Sequence, residues 1–252
     1  DHMFLDGLED AYEAGAAMGS FAQETANDYQ LTRQAMDEYS IESLRRANAA
    51  IESGAFADEV VPVTVTSRRG ETVVDTDEQP GKGRPEKIPE LRPAFARDGT
   101  ITAATSSSIS DGAAAVVITR ASVAEAKGLK PVARIVSMAA HAHDPKLFTT
   151  APVGAIQKAL AKAGWTIDDV DLFEVNEAFA CVAMFAMHDL GIPHDKINVN
   201  GGATALGHPI GASGARIIVT LLNALRQHGK KKGIASLCIG GGEGTAVAVE
   251  LV

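Results

Sequence analysis

Apolar positions in the first third of the chain recur with the period of an α-helix. After Thr32, whose hydroxyl group can cap a helix, apolar residues follow at three- and four-residue intervals as far as Ile51, and Gly54 ends the pattern. This spacing predicts one long helix. The β-branched run 60–66 then predicts a strand with Pro62 near its edge, and the polar, proline-rich segment 75–93 predicts a long surface loop.

Beyond residue 100, short apolar runs alternate with longer amphipathic ones. The short runs predict strands at 115–119, 132–136, 170–175, 197–199, 234–239 and 245–251. The longer runs predict a short helix that ends at Gly128 and further helices at 153–164, 177–190 and 213–228. Because strands and helices alternate, the pattern predicts an α/β fold in which helices cover the faces of a sheet.

Two segments of the chain repeat one pattern of residues. D-G-A-A-A-V-V-I at 111–118 and E-G-T-A-V-A-V-E at 243–250 each consist of an acidic residue, a glycine and a strand of small residues. Either the match arises by chance, or each segment is the closing strand of one half of a doubled fold. If the fold is doubled, its C-terminal half is complete and its N-terminal half lacks the first part of its sequence.

Composition and charge narrow the class of protein. Of 252 residues, 46% are hydrophobic and 22% charged, which favours a folded core over global disorder. A formal charge of −9 disfavours binding to nucleic acid, and the longest apolar run, 178–187, is too short to span a membrane. The two cysteines form no disulfide framework and the first residues do not resemble a signal peptide, so we expect a cytoplasmic protein. The chain opens at Asp1 inside what reads as continuing structure, and we expect further sequence ahead of it.

Three motifs that combine glycine or asparagine with reactive side chains are the candidates for chemistry. They are N-E-A-F-A at 176–180, N-V-N-G-G-A-T-A-L-G-H-P-I-G-A-S-G at 198–214 and C-I-G-G-G-E-G at 238–244. Asn176, at a strand-to-helix junction, is either a helix cap or a functional amide. His208 lies in a loop that its glycine and proline neighbours constrain. Cys238 either is a buried residue before a hairpin turn or works with the exposed N–H groups of the glycines, which can form an oxyanion hole.

Together these motifs place a thiol, an imidazole and an amide at the ends of predicted strands. A thiol near an imidazole can share a proton and act as a base or nucleophile. Cys181 lies inside an apolar helical run, which favours core packing. The sequence contains no cluster with metal-ligand spacing, and its glycines follow neither a phosphate-loop nor a dinucleotide pattern, so we expect no metal site.

The three motifs, in this order, resemble those of the thiolase family, the acetyl-CoA acetyltransferases and 3-ketoacyl-CoA thiolases. L-R-P-A-F at 91–95 and S-D-G-A-A-A at 110–115 extend the resemblance over nearly the whole chain. It implies a thiolase-like five-layered αβαβα fold made of two similar halves, with a loop domain inserted in the first. Residues 1–109 would then be the loop (lid) domain, 110–130 the return into the N-terminal half and 131–252 the C-terminal domain.

The resemblance also implies a task for each candidate residue. Thiolases condense two acyl-CoA molecules, or cleave a 3-ketoacyl-CoA with free CoA, through a cysteine that carries the acyl group and has no counterpart here. Cys238 matches the cysteine that moves the α-proton, and His208 the histidine that deprotonates the acyl-carrying cysteine and helps to hold an oxyanion. Asn176 matches the residue that fixes a water molecule in the same oxyanion hole. Gly240 matches the N–H donor of the second hole.

Further positions match residues that contact the substrate. The matches to CoA-lining positions are Ser107, Ala103 and Phe95, and those to the acyl pocket are Met18 and Phe179, with Phe148 near it. Lys82 and Arg84 are candidates for contacts to the CoA phosphates. Where the family often has H-M-G, this chain has Ala17-Met18-Gly19, which leaves the acyl preference open.

The resemblance completes a set of expectations about function and partners. We expect an acyltransferase of fatty acid metabolism that uses coenzyme A as substrate or product, without a covalently bound cofactor. Its partners would be acyl-CoA, the N-terminal half of the same enzyme and further copies in a homo-oligomer, a dimer or tetramer. The segment alone would be inactive. A ketoacyl synthase, or a non-catalytic fragment that binds CoA or a partner, is the alternative.

Overall fold

The computed structural model describes residues 2–252, and its first part is helical. Helix α1 covers His2–Gly7, α2 covers Met18–Asp28 and α3 covers Arg33–Glu52. Thr32 caps α3 by accepting a hydrogen bond from the amide of Ala35 at 3.1 Å. Gly54 follows the helix with a φ of +75°, in the left-handed region that favours glycine. The long helix predicted from the apolar spacing is therefore confirmed.

An exposed β-hairpin follows, formed by β1 (Val63–Ser67) and β2 (Gly70–Val74) in antiparallel pairing. The predicted strand is confirmed but begins after Pro62, because proline has no N–H group to donate to the ladder. The segment 75–93 is less irregular than predicted, since it contains helix α4 (Gln79–Lys82) and a 3₁₀ turn at Pro85–Glu90. Both hold a proline in their first turn, where a missing N–H costs little.

The remaining elements form a mixed α/β unit. In chain order they are α5 (Ala121–Ala126), β3 (Ala133–Ala142), a 3₁₀ turn (Pro145–Thr150), α6 (Ala151–Ala163), a 3₁₀ turn (Ile167–Asp169), β4 (Leu172–Val175), α7 (Ala180–Leu190), a 3₁₀ turn (His194–Lys196), α8 (Ala203–Leu206), α9 (Ile210–Gln227), β5 (Lys232–Ile239) and β6 (Glu243–Leu251). Most boundaries lie within a few residues of those predicted.

The sheet of this unit has four strands in the order β3-β6-β5-β4. β4 and β5 are parallel, and the other neighbours are antiparallel. Helices α6 and α7 cover one face in a core with Ile156, Phe173 and Phe185, to which α2 also contributes. Helix α9 covers the other face in a smaller core with Leu221 and Val249. The α/β class and its helix-covered sheet are therefore confirmed.

Two predicted strands are absent from the described residues. The segment 111–120 has no regular secondary structure and is exposed, with Val117 96% accessible, because it finds no neighbouring strand to complete its backbone hydrogen bonds. The other prediction, at 197–199, is reduced to one isolated bridge between Ile197 and Phe173, because Asn198 has a φ of +48° that breaks the extended backbone. Of the two segments with a shared pattern, only 243–250 is a strand.

Candidate active site

The carboxyl ends of two parallel strands bring candidate residues to one edge of the sheet. β4 ends at Val175, and the amide of Asn176 continues its ladder by donating to the carbonyl oxygen of Ser236 at 2.9 Å. Cys238 follows two residues further along β5. Parallel pairing thus places the amide and the thiol at the same edge, as expected from their positions at strand ends.

The loop 207–209 holds His208 between two helices. Gly207, with a φ of +87°, ends α8, and a Cβ atom there would collide with the hydroxyl group of Ser110. The backbone of His208 donates to the carbonyl oxygen of Ser108 at 3.0 Å, and Pro209 is the N-cap of α9. The glycine and proline that flank the histidine therefore fix its backbone, as the sequence indicated.

The hydrogen-bond partners of His208 favour the tautomer with hydrogen on Nδ1. Its Nδ1 atom lies 2.6 Å from the Oγ atom of Ser213, whose hydroxyl proton is donated to the carbonyl oxygen of Pro209 at 3.1 Å. When the hydroxyl donates to this carbonyl oxygen, Nδ1 carries the imidazole hydrogen and the serine oxygen accepts it. Nε2 then keeps a lone pair, which faces the Nδ2 donor of Asn176 at 3.4 Å.

The imidazole of His208 is uncharged at neutral pH. Burial lowers its pKa to about 4, and the positive charge of Arg216 acts in the same direction. A neutral ring with a lone pair at Nε2 can accept a proton from a thiol that comes within reach.

Asn176 is not a helix cap, so that alternative is wrong. Helix α7 begins three residues later than predicted, at Ala180, and its N-cap is Phe179 in extended conformation. The side chain of Asn176 is buried, and its Oδ1 atom has no hydrogen-bond partner within residues 2–252. This oxygen is therefore available to accept a hydrogen bond, while Nδ2 faces the imidazole.

The thiol of Cys238 is buried and uncharged. The residue is 7% exposed, and burial raises the pKa of its thiol to about 12. The glycines after it make a tight turn, with φ values of +94° at Gly241 and +86° at Gly242. The structure thus shows a buried cysteine before a hairpin turn, and it records no hydrogen bond between this thiol and His208 in the part it describes. Cys181 is fully buried in the core, as predicted.

The residues matched to an acyl pocket lie together beside Cys238. The ring of Phe179 makes edge contacts with the rings of Phe95 and Phe148, at centroid distances of 5.8 and 6.4 Å. Met18 belongs to the same core, and its sulfur would lie 3.4 Å from a Cβ atom at Gly240. Side chains from four separate segments therefore form an apolar wall next to the glycine turn.

The residues matched to CoA contacts divide between two places. Ser107 is bound to the N-E-A-F-A junction, since its amide and its hydroxyl both donate to the carbonyl oxygen of Ala178, at 3.0 and 2.9 Å. Ala103 instead lines a groove of about 300 Å³ together with Lys82 and Arg84. Lys87 lines the same groove, so three basic side chains surround it.

Sequence reasoning missed a buried carboxylate next to Asn176. Glu177 is fully buried and accepts hydrogen bonds from Tyr39 and Ser43 of α3, both at 2.8 Å. It also accepts from Asn198 at 2.8 Å and from the amide and hydroxyl of Thr204 at 3.1 and 2.7 Å. A charged residue inside an apolar motif was the available signal. Ser213 was missed too, although it stands in the quoted G-A-S-G motif.

Two classes of feature are absent from the described part of the chain. Within residues 2–252, no group of three or more histidine, cysteine or acidic side chains is arranged to hold a metal ion. No helix in the same range is long and apolar enough to cross a membrane.

Comparison with known proteins identifies the same family that the three motifs indicated. The family model for the thiolase N-terminal domain matches residues 1–122, and that for the thiolase C-terminal domain matches residues 129–251. The acetyl-CoA acetyltransferase of Allochromatium vinosum is 48% identical over 252 residues, which cover 99% of this chain and 64% of the relative. The chain belongs to the thiolase family, and it spans less than two thirds of the length of this relative.

Solved structures show the same fold. A Bacillus anthracis acetyl-CoA acetyltransferase superposes with a TM-score of 0.94 at 43% identity, over 97% of this chain and 62% of that one. The Acat5 thiolase from Ascaris suum, solved in complex with coenzyme A, superposes with a TM-score of 0.90 at 40% identity, over 100% of this chain and 64% of that one.

Proposed function

We propose that the protein containing this chain is an acetyl-CoA C-acetyltransferase, a thiolase that condenses two acyl-CoA molecules or cleaves a 3-ketoacyl-CoA with CoA. The observation that carries the proposal is the neutral His208, whose Nε2 lone pair faces Asn176 at the sheet edge that also holds Cys238. Relatives named acetyl-CoA acetyltransferase, about 48% identical over the whole chain, support it.

In the first step, His208 serves as the base. Its Nε2 atom takes the proton of the acyl-carrying cysteine, which lies outside residues 1–252, as the sulfur attacks the thioester carbonyl carbon. The bond from that carbon to the CoA sulfur breaks, and His208 returns the proton to CoA. A base whose pKa lies below the working pH is already unprotonated, so no proton has to be removed before the step begins.

In the second step, the α-proton moves between the substrate carbon and the sulfur of Cys238. In the cleavage direction the acyl-carrying cysteine attacks the 3-keto carbon, the carbon–carbon bond to the α-carbon breaks, and the neutral thiol of Cys238 donates its proton to the enolate that leaves. In the condensation direction the thiolate of Cys238 takes the α-proton, the enolate carbon attacks the carbonyl carbon of the acyl-cysteine, and the bond from that carbon to the cysteine sulfur breaks. Burial opposes the thiolate, so condensation depends on donors that stabilise the enolate oxygen, each worth about 3–4 kcal/mol. The N–H of Gly240 is the donor of one hole. A water bound to Oδ1 of Asn176 supplies the other, and Nε2 of His208 adds a donor only while it holds the proton taken in the first step.

We place the substrate along the residues that match substrate-contacting positions of the thiolase family. The acyl group lies against Met18, Phe148 and Phe179, and the pantetheine chain of CoA passes Phe95 and Ser107. The groove of Ala103, Lys82 and Arg84 is also lined by Ser106 and Ser108, the neighbours of Ser107, and its basic side chains suit the CoA phosphates. The Ascaris thiolase, solved with coenzyme A, supports a CoA site in this fold.

The proposal also covers the domains of the chain, the location and assembly of the protein, and the alternative activity. The loop domain 1–109, the return 110–130 and the C-terminal domain 131–252 are the units of the chain. The protein acts in the cytoplasm, in fatty acid metabolism, as a homo-oligomer. A ketoacyl synthase is the second candidate activity, and Cys238 favours the thiolase because synthases usually lack a cysteine at that turn.

The two assigned roles can be separated by mass spectrometry of the full-length protein incubated with acetyl-CoA. Cys238→Ser should form a stable acetyl adduct yet fail to condense, since only the α-proton step uses this thiol. His208→Ala should form little adduct, because the nucleophile has lost its base. The 252-residue chain alone is the control and should form none. Equal adduct in both variants would mean that the two roles are wrongly assigned.

A further inference from the structure

The basic groove, which Lys82 and Arg84 line, is also lined by segments that hold His208. One of them is Ser108, whose carbonyl oxygen accepts a hydrogen bond from the backbone amide of His208 at 3.0 Å. Another is Thr204, in helix α8, which directly precedes the loop of His208. A ligand in the basic groove therefore contacts the segments that position the base of the proposed reaction.

Two serine hydroxyl groups connect the groove to the backbone of His208. The Nε2 amide of Gln79, on α4, donates to the Oγ atom of Ser108 at 2.8 Å, and the Oγ atoms of Ser108 and Ser110 are 3.0 Å apart. Ser110 donates to the carbonyl oxygen of Ser108 at 3.1 Å, the same oxygen that accepts the amide of His208. When Ser110 donates to this oxygen, the hydroxyl of Ser108 donates to Ser110. The hydrogen bonds thus run unbroken from Gln79 to the carbonyl group that holds His208.

The same serines pack against the residue that precedes the base. A Cβ atom at Gly207 would collide with the Oγ atom of Ser110 and would lie 3.2 Å from that of Ser108. The two hydroxyl groups therefore occupy the space beside this glycine. Because the contact is tight, a shift of Ser108 displaces both a hydrogen-bond partner and a packing neighbour of the His208 loop.

Helix α4 carries Gln79 and Lys82 within a single turn. It covers four residues, of which only Pro80 is buried. Lys82 is paired at 2.9 Å with Glu78, next to this turn, and their side chains are 61% and 79% exposed. An exposed pair of this kind contributes little stability, so a phosphate group can replace Glu78 at small cost. Because the turn is short, a ligand held by Lys82 also restrains Gln79.

We propose that Gln79 is a positioning residue that transmits occupancy of the basic groove to His208. The phosphates of CoA in the groove hold Lys82 and, through the same turn, Gln79. Ser108 and Ser110 then keep the loop of His208 in place for proton transfer. Binding energy from the nonreacting end of the substrate is thus used at the reacting centre, which raises the rate of the chemical step and not only the affinity. This role of Gln79 rests on the proposed function, since it takes CoA as the ligand and His208 as the base.

The test separates the nucleotide end of CoA from its acyl end, in the full-length protein. Acetyl-pantetheine supplies the thioester alone, and adenosine 3′,5′-bisphosphate supplies the nucleotide as a second molecule. Single-turnover mass spectrometry measures the rate of acetyl adduct formation with and without the nucleotide. In the original protein the nucleotide should accelerate acylation by acetyl-pantetheine about threefold to tenfold, and in Gln79→Met it should not.

Further variants control this comparison. Ser108→Ala should also lose the acceleration, whereas Ser108→Thr, which keeps the hydroxyl group, should retain it. Gln34→Met makes the same substitution at an exposed glutamine of α3, whose amide donates to Glu38, and should retain it as well.

Two outcomes would overturn the inference while leaving the proposed function intact. One is an original protein that acylates equally fast with and without the nucleotide. The other is a Gln79→Met variant that is slowed by a constant factor but keeps the acceleration, which would indicate a purely structural role. If Gln79→Met does not fold, Ser108→Ala provides the same comparison. An original protein that forms no adduct even with acetyl-CoA would refute the proposed function and, with it, this role of Gln79.

Discussion

At the scale of single residues, the chemistry of the site depends on which side-chain atoms already take part in hydrogen bonds. The hydroxyl of Ser213 donates to a backbone carbonyl, which leaves its oxygen free to accept from Nδ1 of His208. The opposite nitrogen is then a base without any change of protonation. A serine five residues away therefore decides which end of the imidazole can react.

Replacement of this serine tests that reasoning. Ser213→Ala leaves the Nδ1–H group without its acceptor, at a cost of about 1–3 kcal/mol, and permits the tautomer that carries hydrogen on Nε2. We expect acylation by acetyl-CoA to slow by about fivefold or more, while Ser213→Thr, which keeps the hydroxyl, stays near the original rate. The measurement is the rate of adduct formation in single-turnover mass spectrometry. An alanine variant as fast as the threonine variant would show that the serine does not control the tautomer.

At the scale of secondary-structure elements, Glu177 joins helix α3 to the loop that precedes α8. Its two oxygens accept five hydrogen bonds from Tyr39, Ser43, Asn198 and Thr204. No Cβ atom fits at Gly202, because it would collide with the carboxyl group of Glu177. The elements that carry Asn176 and His208 are thus tied to α3 through one carboxylate.

Two variants of this contact should differ in stability. Tyr39→Phe removes one donor and should cost about 1 kcal/mol, the net value of an ordinary hydrogen bond. Glu177→Gln places an amide donor against hydroxyl and amide donors, which leaves several buried groups unpaired, and should cost at least about 3 kcal/mol. Urea unfolding of both variants gives the comparison. If Glu177→Gln costs no more than Tyr39→Phe, the carboxylate does not join these elements.

At the scale of the whole molecule, the half-buried His208 and the buried Glu174 make stability depend on pH in opposite directions. The pKa of His208 is lowered to about 4, so the folded state resists a proton that the unfolded chain accepts, and stability falls as the pH drops below about 6.5. The pKa of Glu174 is raised to about 8, so the folded state keeps a proton that the unfolded chain loses, and stability falls as the pH rises from about 4.5 to 8.

The Glu174→Gln variant isolates the second effect. Glutamine does not titrate, whereas the contribution of His208 is common to both proteins and cancels in the difference. We therefore expect the free energy of unfolding of the variant, relative to the original protein, to rise between pH 5 and 8 by on the order of 1 kcal/mol per pH unit. Urea unfolding across this range measures it. A difference independent of pH would mean that Glu174 is ionised in the folded protein at pH 5.

Local sequence patterns alone identified several helices, one hairpin and the main candidate residues of the site. Apolar spacing and caps located α3, α6 and the core of α9, and the glycine turn located the hairpin of β5 and β6. Motif order pointed to the thiolase family and to Asn176, His208 and Cys238. These inferences succeed because helix periodicity, capping and turn chemistry depend on residues a few positions apart.

Tertiary contacts decided the rest. The segment 111–120 has the composition of a strand, yet it forms none, because a strand requires a neighbour that its own residues cannot supply. Asn176 occupies a typical capping context, but the buried carboxylate of Glu177 and the extended Phe179 delay the helix to Ala180. The pKa of Glu174 and the contacts of Glu177 depend on groups distant along the chain: Tyr39 is 138 residues from its acceptor. Burial and electrostatics of this kind arise only when distant segments meet in the folded molecule.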